Sequence, residues 1–234
     1  MAKRPVFIPK PERAPFVEEI GVEFEWFPGF SVQQKQRSIA SLHETAETSF
    51  GLSPLLEISS KSPREIGKSL SAFHLMIDDL ALERPISVEA AFQGSKVFEH
   101  GGPYTDLYEK SAREAKRDSR LKVSGRLLCF DFGGIRWKLE PKTAFYDWLY
   151  LRALQQHSEL AQQLLVFRGF TDIEFNPQKS INCQARAAAL YVALASRGLL
   201  PTVIETPESY LEILSKKGEL EAKQTQFPFL SDEE

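Results

Sequence analysis

The chain has 234 residues with 29 Lys and Arg against 32 Asp and Glu, a formal net charge of -3. This length admits one large domain or a domain with extensions, but no multi-domain assembly. Hydrophobic residues at 42% and charged residues at 26% exclude a disordered or tail-like protein. The near-neutral balance excludes a protein that coats nucleic acid through bulk charge, so any basic face must be local.

The opening MAKRPVFIPKPERAPF carries basic residues without the apolar stretch of a leader. No run reaches the ~18 apolar residues of a membrane span, which predicts a cytoplasmic protein with no membrane contact. Cysteine occurs only as Cys129 and Cys183, and histidine only at 43, 74, 100 and 157, with no zinc-type spacing. Neither a disulfide nor a metal is expected, and Cys129 in the run Leu127–Phe130 reads as a buried thiol.

Pro5, Pro9, Pro11 and Pro15 predict an extended arm over residues 1–16, outside regular strand pairing but packed through its apolar residues. Val22, Phe24 and Trp26 alternate with Glu23 and Glu25, the period of a half-buried strand, which Pro28-Gly29 ends. Ser31 caps a helix to about Glu47, with Val32, Ile39, Leu42 and Ala46 on its apolar face. A short strand over 55–62 leads to Ser59, Ser60 and Lys61, either an ordinary turn or small polar groups meeting a ligand. A strand-like piece over 70–77 precedes a helix opened by Ser87.

Beyond it, a helix over 105–118, a strand over 127–132 turned by Gly133-Gly134, and a helix from Pro141 to His157 are expected. Ser158 caps a further helix over 159–167, and Asn182 opens one that runs to Ser196. One amphipathic segment follows Pro207, and the SDEE end reads as loose. Helix dominates without βαβ alternation, so the expected class is α+β, mainly α with a small β component. The expected organisation is an N-terminal extension over 1–50 packed on the core, a catalytic domain over 51–200, and a C-terminal segment with an acidic tail over 201–234.

Within SVEAAFQGSKVF, residues 87–98, Glu89, Gln93 and Lys96 are spaced i, i+4 and i+7 and share one helix face. Apart from this stripe and Ser95, the segment is apolar or small nearly all round, as a buried helix would be. One narrow polar line on such a helix fits a cavity wall better than a solvated face. Glu89 falls in the first turn, where the helix dipole favours a carboxylate. A second signal is basic: Lys110, Arg113, Lys116, Arg117, Arg120, Lys122 and Arg126 stand against Glu114 and Asp118. Arg113, Lys116, Arg117 and Arg120 have helical spacing, which suits either a phosphate backbone or a plain solvated face.

These residues carry a resemblance. SVEAAFQGSKVF resembles the "SEHYFQAQKF" helix motif of the NADAR family, and LSAFHLMI is similar to its preceding "FSNF" strand. Downstream, Trp137 stands before a helix and QHSELAQQLL, similar to the family's Trp and "HAELRALLL"-like segment. KSINCQARAAALYVAL is similar to the closing "GKNRLGYLLMEL" helix, with Asn182 on the family Asn. The resemblance covers about residues 55–197, and the amino-terminal FEWFPGFS element is similar to the branch found beside DarT toxins.

The resemblance implies a NADAR-like fold and cleavage of an N-glycosidic bond. For this branch it implies an antitoxin that removes ADP-ribose attached by the toxin to guanine in DNA. ADP-ribosylated DNA is then the substrate and ADP-ribose the product; the cognate DarT toxin is a further candidate partner, and no cofactor is implied. Carried over by residue, Glu89 and Trp137 fall in the catalytic site, with Gln93, Lys96 and Asn182 lining it; the expected catalytic set is Glu89, Lys96 and Trp137, and the expected substrate-binding set is Ser59, Lys61, Phe73, Gln93, Asp172, Asn182 and Arg186. Arg113, Lys116, Arg117 and Arg120 are the expected DNA contacts. The family's acidic "ENDxYWG" element is replaced by TDIEFNPQKS, which lacks the WG pair and aligns neither Asp172 nor Glu174 with its acid.

Cleaving such a bond passes through an oxocarbenium-like state, which the Glu89 carboxylate can stabilise or serve by activating water. Lys96 can act covalently through a Schiff base or hold phosphate. Trp137 can stack on a base or fill the core, and Asn182 can be cap, ligand or both. Competing functions are a binding module for ADP-ribose or the toxin, and a hydrolase of a small N-glycoside such as a riboflavin-pathway intermediate.

Overall fold

The computed structural model describes residues 1–79, 82–178 and 180–215; the expected loose SDEE end lies outside the described residues. Strands are β1 (Ala2–Pro9), β2 (Val17–Phe24), β3 (Leu55–Glu57), β4 (Met76–Ile77), β5 (Ile86–Ser87), β6 (Lys96–Phe98), β7 (Leu127–Phe132), β8 (Ile135–Trp137) and β9 (Gly169–Thr171). Helices are α1 (Val32–Phe50), α2 (Glu65–Ser69), α3 (Val88–Gly94), α4 (Ala112–Arg117), α5 (Arg120–Val123), α6 (Ala144–Gln155), α7 (Ser158–Leu164), α8 (Gln184–Ser196), α9 (Leu200–Glu205) and α10 (Pro207–Ser215).

The main sheet runs β2-β1-β9-β3, with β3 and β9 parallel and the other pairs antiparallel. Adjacent residues of β1 feed opposite faces: Val6 joins α1 residues Ile39, Leu42 and Ala46, while Phe7 joins the larger core shared by α6 and α8. That alternation makes a layered α/sheet/α arrangement, as the period of two in a strand requires. Alanine-rich α8 packs against α6 and the sheet with Ala187, Ala188 and Ala189 fully buried.

The proline-rich arm is therefore a strand, and this corrects the sequence reading. β1 pairs with β2 over its whole length, including Pro5 with Gly21 and Pro9 with Val17. On its other side β1 pairs with β9 only at Phe7, so most of that side behaves as an edge, where a missing N–H costs little. Because β1 and β2 lie in the same sheet as β3 and β9, the first 50 residues share the β component of the core, which is larger than expected.

Ser31 caps α1 as expected, its hydroxyl accepting from Gln34 N–H, although Val32 is exposed. Over 70–75 the chain turns instead of extending, because Ser71 carbonyl accepts from both His74 and Leu75 N–H. The expected helix over 105–118 is broken: a 3₁₀ turn at Thr105–Glu109 ends, and Ser111 with Glu114 forms a capping box that starts α4. Pro141 begins a turn three residues before α6, and Cys183, not Asn182, is the N-cap of α8. Ser158 is the first residue of α7, after an N-cap at His157. Cys129 on β7 is half-buried, whereas Cys183 is buried. Among the described residues no helix is long and apolar enough to cross a membrane.

Candidate active site

Ser87 accepts a hydrogen bond from Ala90 N–H and opens α3 where the sequence placed it. All seven residues of α3 are buried, and the helix stops at Gly94. A Cβ at Gly94 would lie 2.4 Å from the Tyr108 ring and 3.0 Å from Tyr104 carbonyl, so glycine permits this close approach. Lys96 is thus on β6, not on the helix as expected, because Lys96–Phe98 pairs with β7.

The polar line nevertheless survives. Gln93 Nε2 donates to Glu89 Oε1 at 2.9 Å, and Lys96 Nζ donates to Gln93 Oε1 at 2.6 Å. Gln93 bridges carboxyl and amine. Lys116, expected on DNA, comes from α4 to stand 3.5 Å from Glu89 Oε1, with its Nζ 5.1 Å from the Phe73 ring centroid.

These groups line a cavity of about 790 Å³ whose walls also include Phe92, Tyr146, Asp172 and Asn182. The volume falls in the usual range of small-molecule sites, roughly 300–1,000 Å³. Phe73 reaches the cavity because its loop is clamped: Ala72 carbonyl accepts from Glu89 N–H, and Ala72 N–H donates to Gln184 Oε1. Lys96 Nζ lies 4.8 Å from the Phe92 ring centroid. Burial lowers its pKa to about 8, with Glu89 opposing and Lys116 reinforcing the shift. A usable fraction of neutral amine therefore exists near neutral pH.

A second carboxyl faces the cavity. Asp172 is pushed up to about 8, first by burial and then by the nearby Glu57 charge. Its Oδ1 accepts from Glu174 and Phe175 N–H. Behind it, fully buried Glu57 accepts from Ser59 Oγ at 2.7 Å, Thr171 Oγ1 at 2.6 Å and Ile173 N–H at 2.8 Å. Burial pushes Glu57 up as well, but three donors oppose it. Burial pushes both acids up, so the pair retains a proton near neutral pH, and Asp172 is its member on the cavity wall. The sequence reading missed Glu57; its only signal was an acid inside the apolar run LLEIS.

Other expected site residues lie elsewhere. Ser59 turns inward to Glu57, and Lys61 is half-buried beside it, its N–H donating to Ser59 Oγ; neither lines the cavity. Trp137 is 3% exposed and packs against Phe145, Trp148 and Tyr210, the core alternative rather than a stacking platform. Arg186 turns from α8 to the fully buried Asp147 of α6 and to Thr143, away from the cavity. Asn182 does line the cavity, and its buried Oδ1 has no hydrogen-bond partner among the described residues. Arg113 and Arg117 are exposed, whereas Arg120 is engaged by Asp106 and Asp118 and is not free for phosphate.

Fold and cavity together define an α+β domain with a carboxyl–amide–amine pocket and a second, buried carboxyl on its wall. The family model described as DarT1-associated NADAR antitoxin matches residues 2–224, and the chain belongs to that family. The match takes in the first 50 residues and the segment after 200, both of which the sequence reading set outside the catalytic domain. No curated protein matches the chain significantly.

Proposed function

We propose that the protein hydrolyses the N-glycosidic bond between ADP-ribose and guanine in DNA, so that the antitoxin undoes the toxin's product. The observation that carries this reading is that one cavity holds both Glu89, bonded by Gln93 and Lys116, and Asp172, whose carboxyl burial pushes up to about 8. Two carboxyls in different environments are what acid–base cleavage of a glycosidic bond requires.

In this reading the bond from the ribose anomeric carbon to the guanine nitrogen breaks as Asp172 gives its proton to the departing base. Glu89 takes a proton from water, whose hydroxide adds to the anomeric carbon. The products are ADP-ribose and restored guanine, and proton exchange with solvent resets both carboxyls. Asn182 Oδ1, buried without a partner, offers an acceptor to a sugar hydroxyl. Arg113 and Arg117 lie exposed on the helix that delivers Lys116, where they can meet the DNA backbone.

The lowered pKa of Lys96 supports a covalent variant of the same reaction. Its neutral amine attacks the anomeric carbon as guanine leaves with the proton of Asp172, and the new ammonium gives a proton to Glu89. The glycosylamine then opens its ring, the ring oxygen taking a proton as the C=N bond of a Schiff base forms, and water hydrolyses that Schiff base to ADP-ribose and free lysine. The test is incubation with ADP-ribosylated DNA. Free ADP-ribose and unmodified guanine are expected; intact adduct after exhaustive incubation refutes the reading in favour of a binding role. Turnover of a small N-glycoside with no turnover of the DNA adduct assigns the third function.

A further inference from the structure

Residues 25–31 form a loop laid along the start of α1. Glu25 N–H donates to Ser41 Oγ at 3.2 Å, and Phe27 N–H donates to Ser38 Oγ at 3.0 Å. On this fixed backbone Phe30 is 99% exposed. Cations lie over the neighbouring rings: the Arg37 guanidinium is 4.0 Å from the Phe27 centroid, and Lys35 Nζ and Arg4 are 4.8 and 5.3 Å from that of Trp26. Lys35 also pairs with Glu174 at 3.1 Å, and Glu174 lines the cavity. One lysine thus spans from the aromatic lobe to the cavity wall.

The exposed Phe30 ring, together with the exposed Arg37 guanidinium that lies over half-buried Phe27 and has no carboxylate partner among the described residues, matches the needs of a single nucleic-acid strand. Bases stack on rings and guanidinium planes without sequence preference, and phosphates meet cations that no acid among the described residues engages, here Arg37 and Arg4, since Lys35 is taken by Glu174. A protein interface is built round a core of several side chains that become fully buried together, whereas here Trp26 and Phe27 are already half-buried under cations and Phe30 is the fully exposed ring of the lobe. We infer that the lobe formed by Trp26, Phe27, Phe30 and Arg37 holds a nucleotide adjacent to the modified guanine of a single DNA strand. The inference rests on the reaction proposed above and adds a second strand contact, on α1 and its preceding loop, to the one on α4.

Trp137 and Trp148 are buried and Trp26 is only half-buried, so Trp26 fluorescence reports on the lobe. Unmodified single-stranded oligodeoxynucleotide is titrated into wild type and into the double variant Phe30→Ala, Arg37→Ala, following quenching and the anisotropy of a labelled strand. The affinity is expected to fall about 5-fold or more. The ratio of kcat/KM for ADP-ribosylated oligonucleotide to that for ADP-ribosylated guanosine is expected to fall similarly. Unchanged affinity and ratio overturn the inference. Loss of toxin binding with unchanged strand affinity also overturns it and gives the lobe to a protein partner. Lobe-dependent strand binding without any release of ADP-ribose refutes the reaction and leaves the lobe's assignment standing.

Discussion

Lys116 Nζ lies 3.5 Å from Glu89 Oε1, and the same oxygen accepts from Gln93 Nε2 at 2.9 Å. Helices α3 and α4 thereby fix one carboxylate between an amide and an ammonium. Glu89→Gln keeps the shape and an oxygen for Gln93 while removing the base. The variant is expected to lose roughly 10²- to 10⁴-fold in ADP-ribose release with little change in melting temperature. Wild-type release from a folded variant, read by chromatography of the product, removes Glu89 from the chemistry.

Lys96 and Asp172 oppose each other in pH. A nucleophilic Lys96 becomes competent as pH rises through about 8, while acid catalysis by Asp172 is lost as pH rises through about 8. The covalent route therefore predicts a bell centred near that value, and Lys96→Met should remove its acidic limb along with most of the activity. Borohydride reduction during turnover should leave a ribose-derived mass on Lys96. A plateau below pH 7 with no adduct restricts Lys96 to binding.

Glu57 acts on Asp172 through its charge. Replacing it by Gln removes the negative neighbour, so the Asp172 pKa should fall and the alkaline limb of the rate profile should move to lower pH. The stability sign follows from linkage: a carboxyl raised from 3.8 to about 8 contributes stability at low pH that is lost as pH rises through that interval. Glu57 and Asp147, raised as well, act with the same sign and His43, lowered to about 4, with the opposite one, so the test is the difference: between pH 4 and 8 the melting temperature of wild type is expected to fall relative to that of Asp172→Asn. A wild-type slope in Asp172→Asn would show that the proton is held elsewhere.

Trp137 is core, and its variants should behave so. Trp137→Ala is expected to destabilise by about 3–5 kcal/mol. Trp137→Phe, which keeps a ring against Phe145 and Tyr210, should retain turnover within several-fold. Loss of turnover in Trp137→Phe with an unchanged melting temperature would restore it to the chemistry.

What was legible followed from local spacing. Ser31 and Ser87 begin helices because a hydroxyl before an apolar-periodic run has only local donors to satisfy. Glu89 and Gln93 share a face because i and i+4 are true helical neighbours. Lys96 reached the site although its helix ends two residues earlier, since its amine bonds Gln93 across the turn. Glu57 and Asp172 were not legible as a pair: three-residue strands leave no periodicity, and the contact joins residues more than 100 positions apart. Arg186 misled for a similar reason, because Asp147 on another helix claims it.

The parallel pairing of β3 with β9 sets Leu55, Leu56 and Glu57 beside Gly169, Phe170 and Thr171. Long sequence separation makes such pairing a late, slow event in folding. A polypeptide still emerging from the ribosome carries Glu57, Glu89, Gln93 and Lys96 before it has Asp172 to set against Glu57. Under the proposed reaction, protection against a toxin begins only after the ribosome has passed Asp172, and a product terminated before that residue carries the proposed base without the proposed acid.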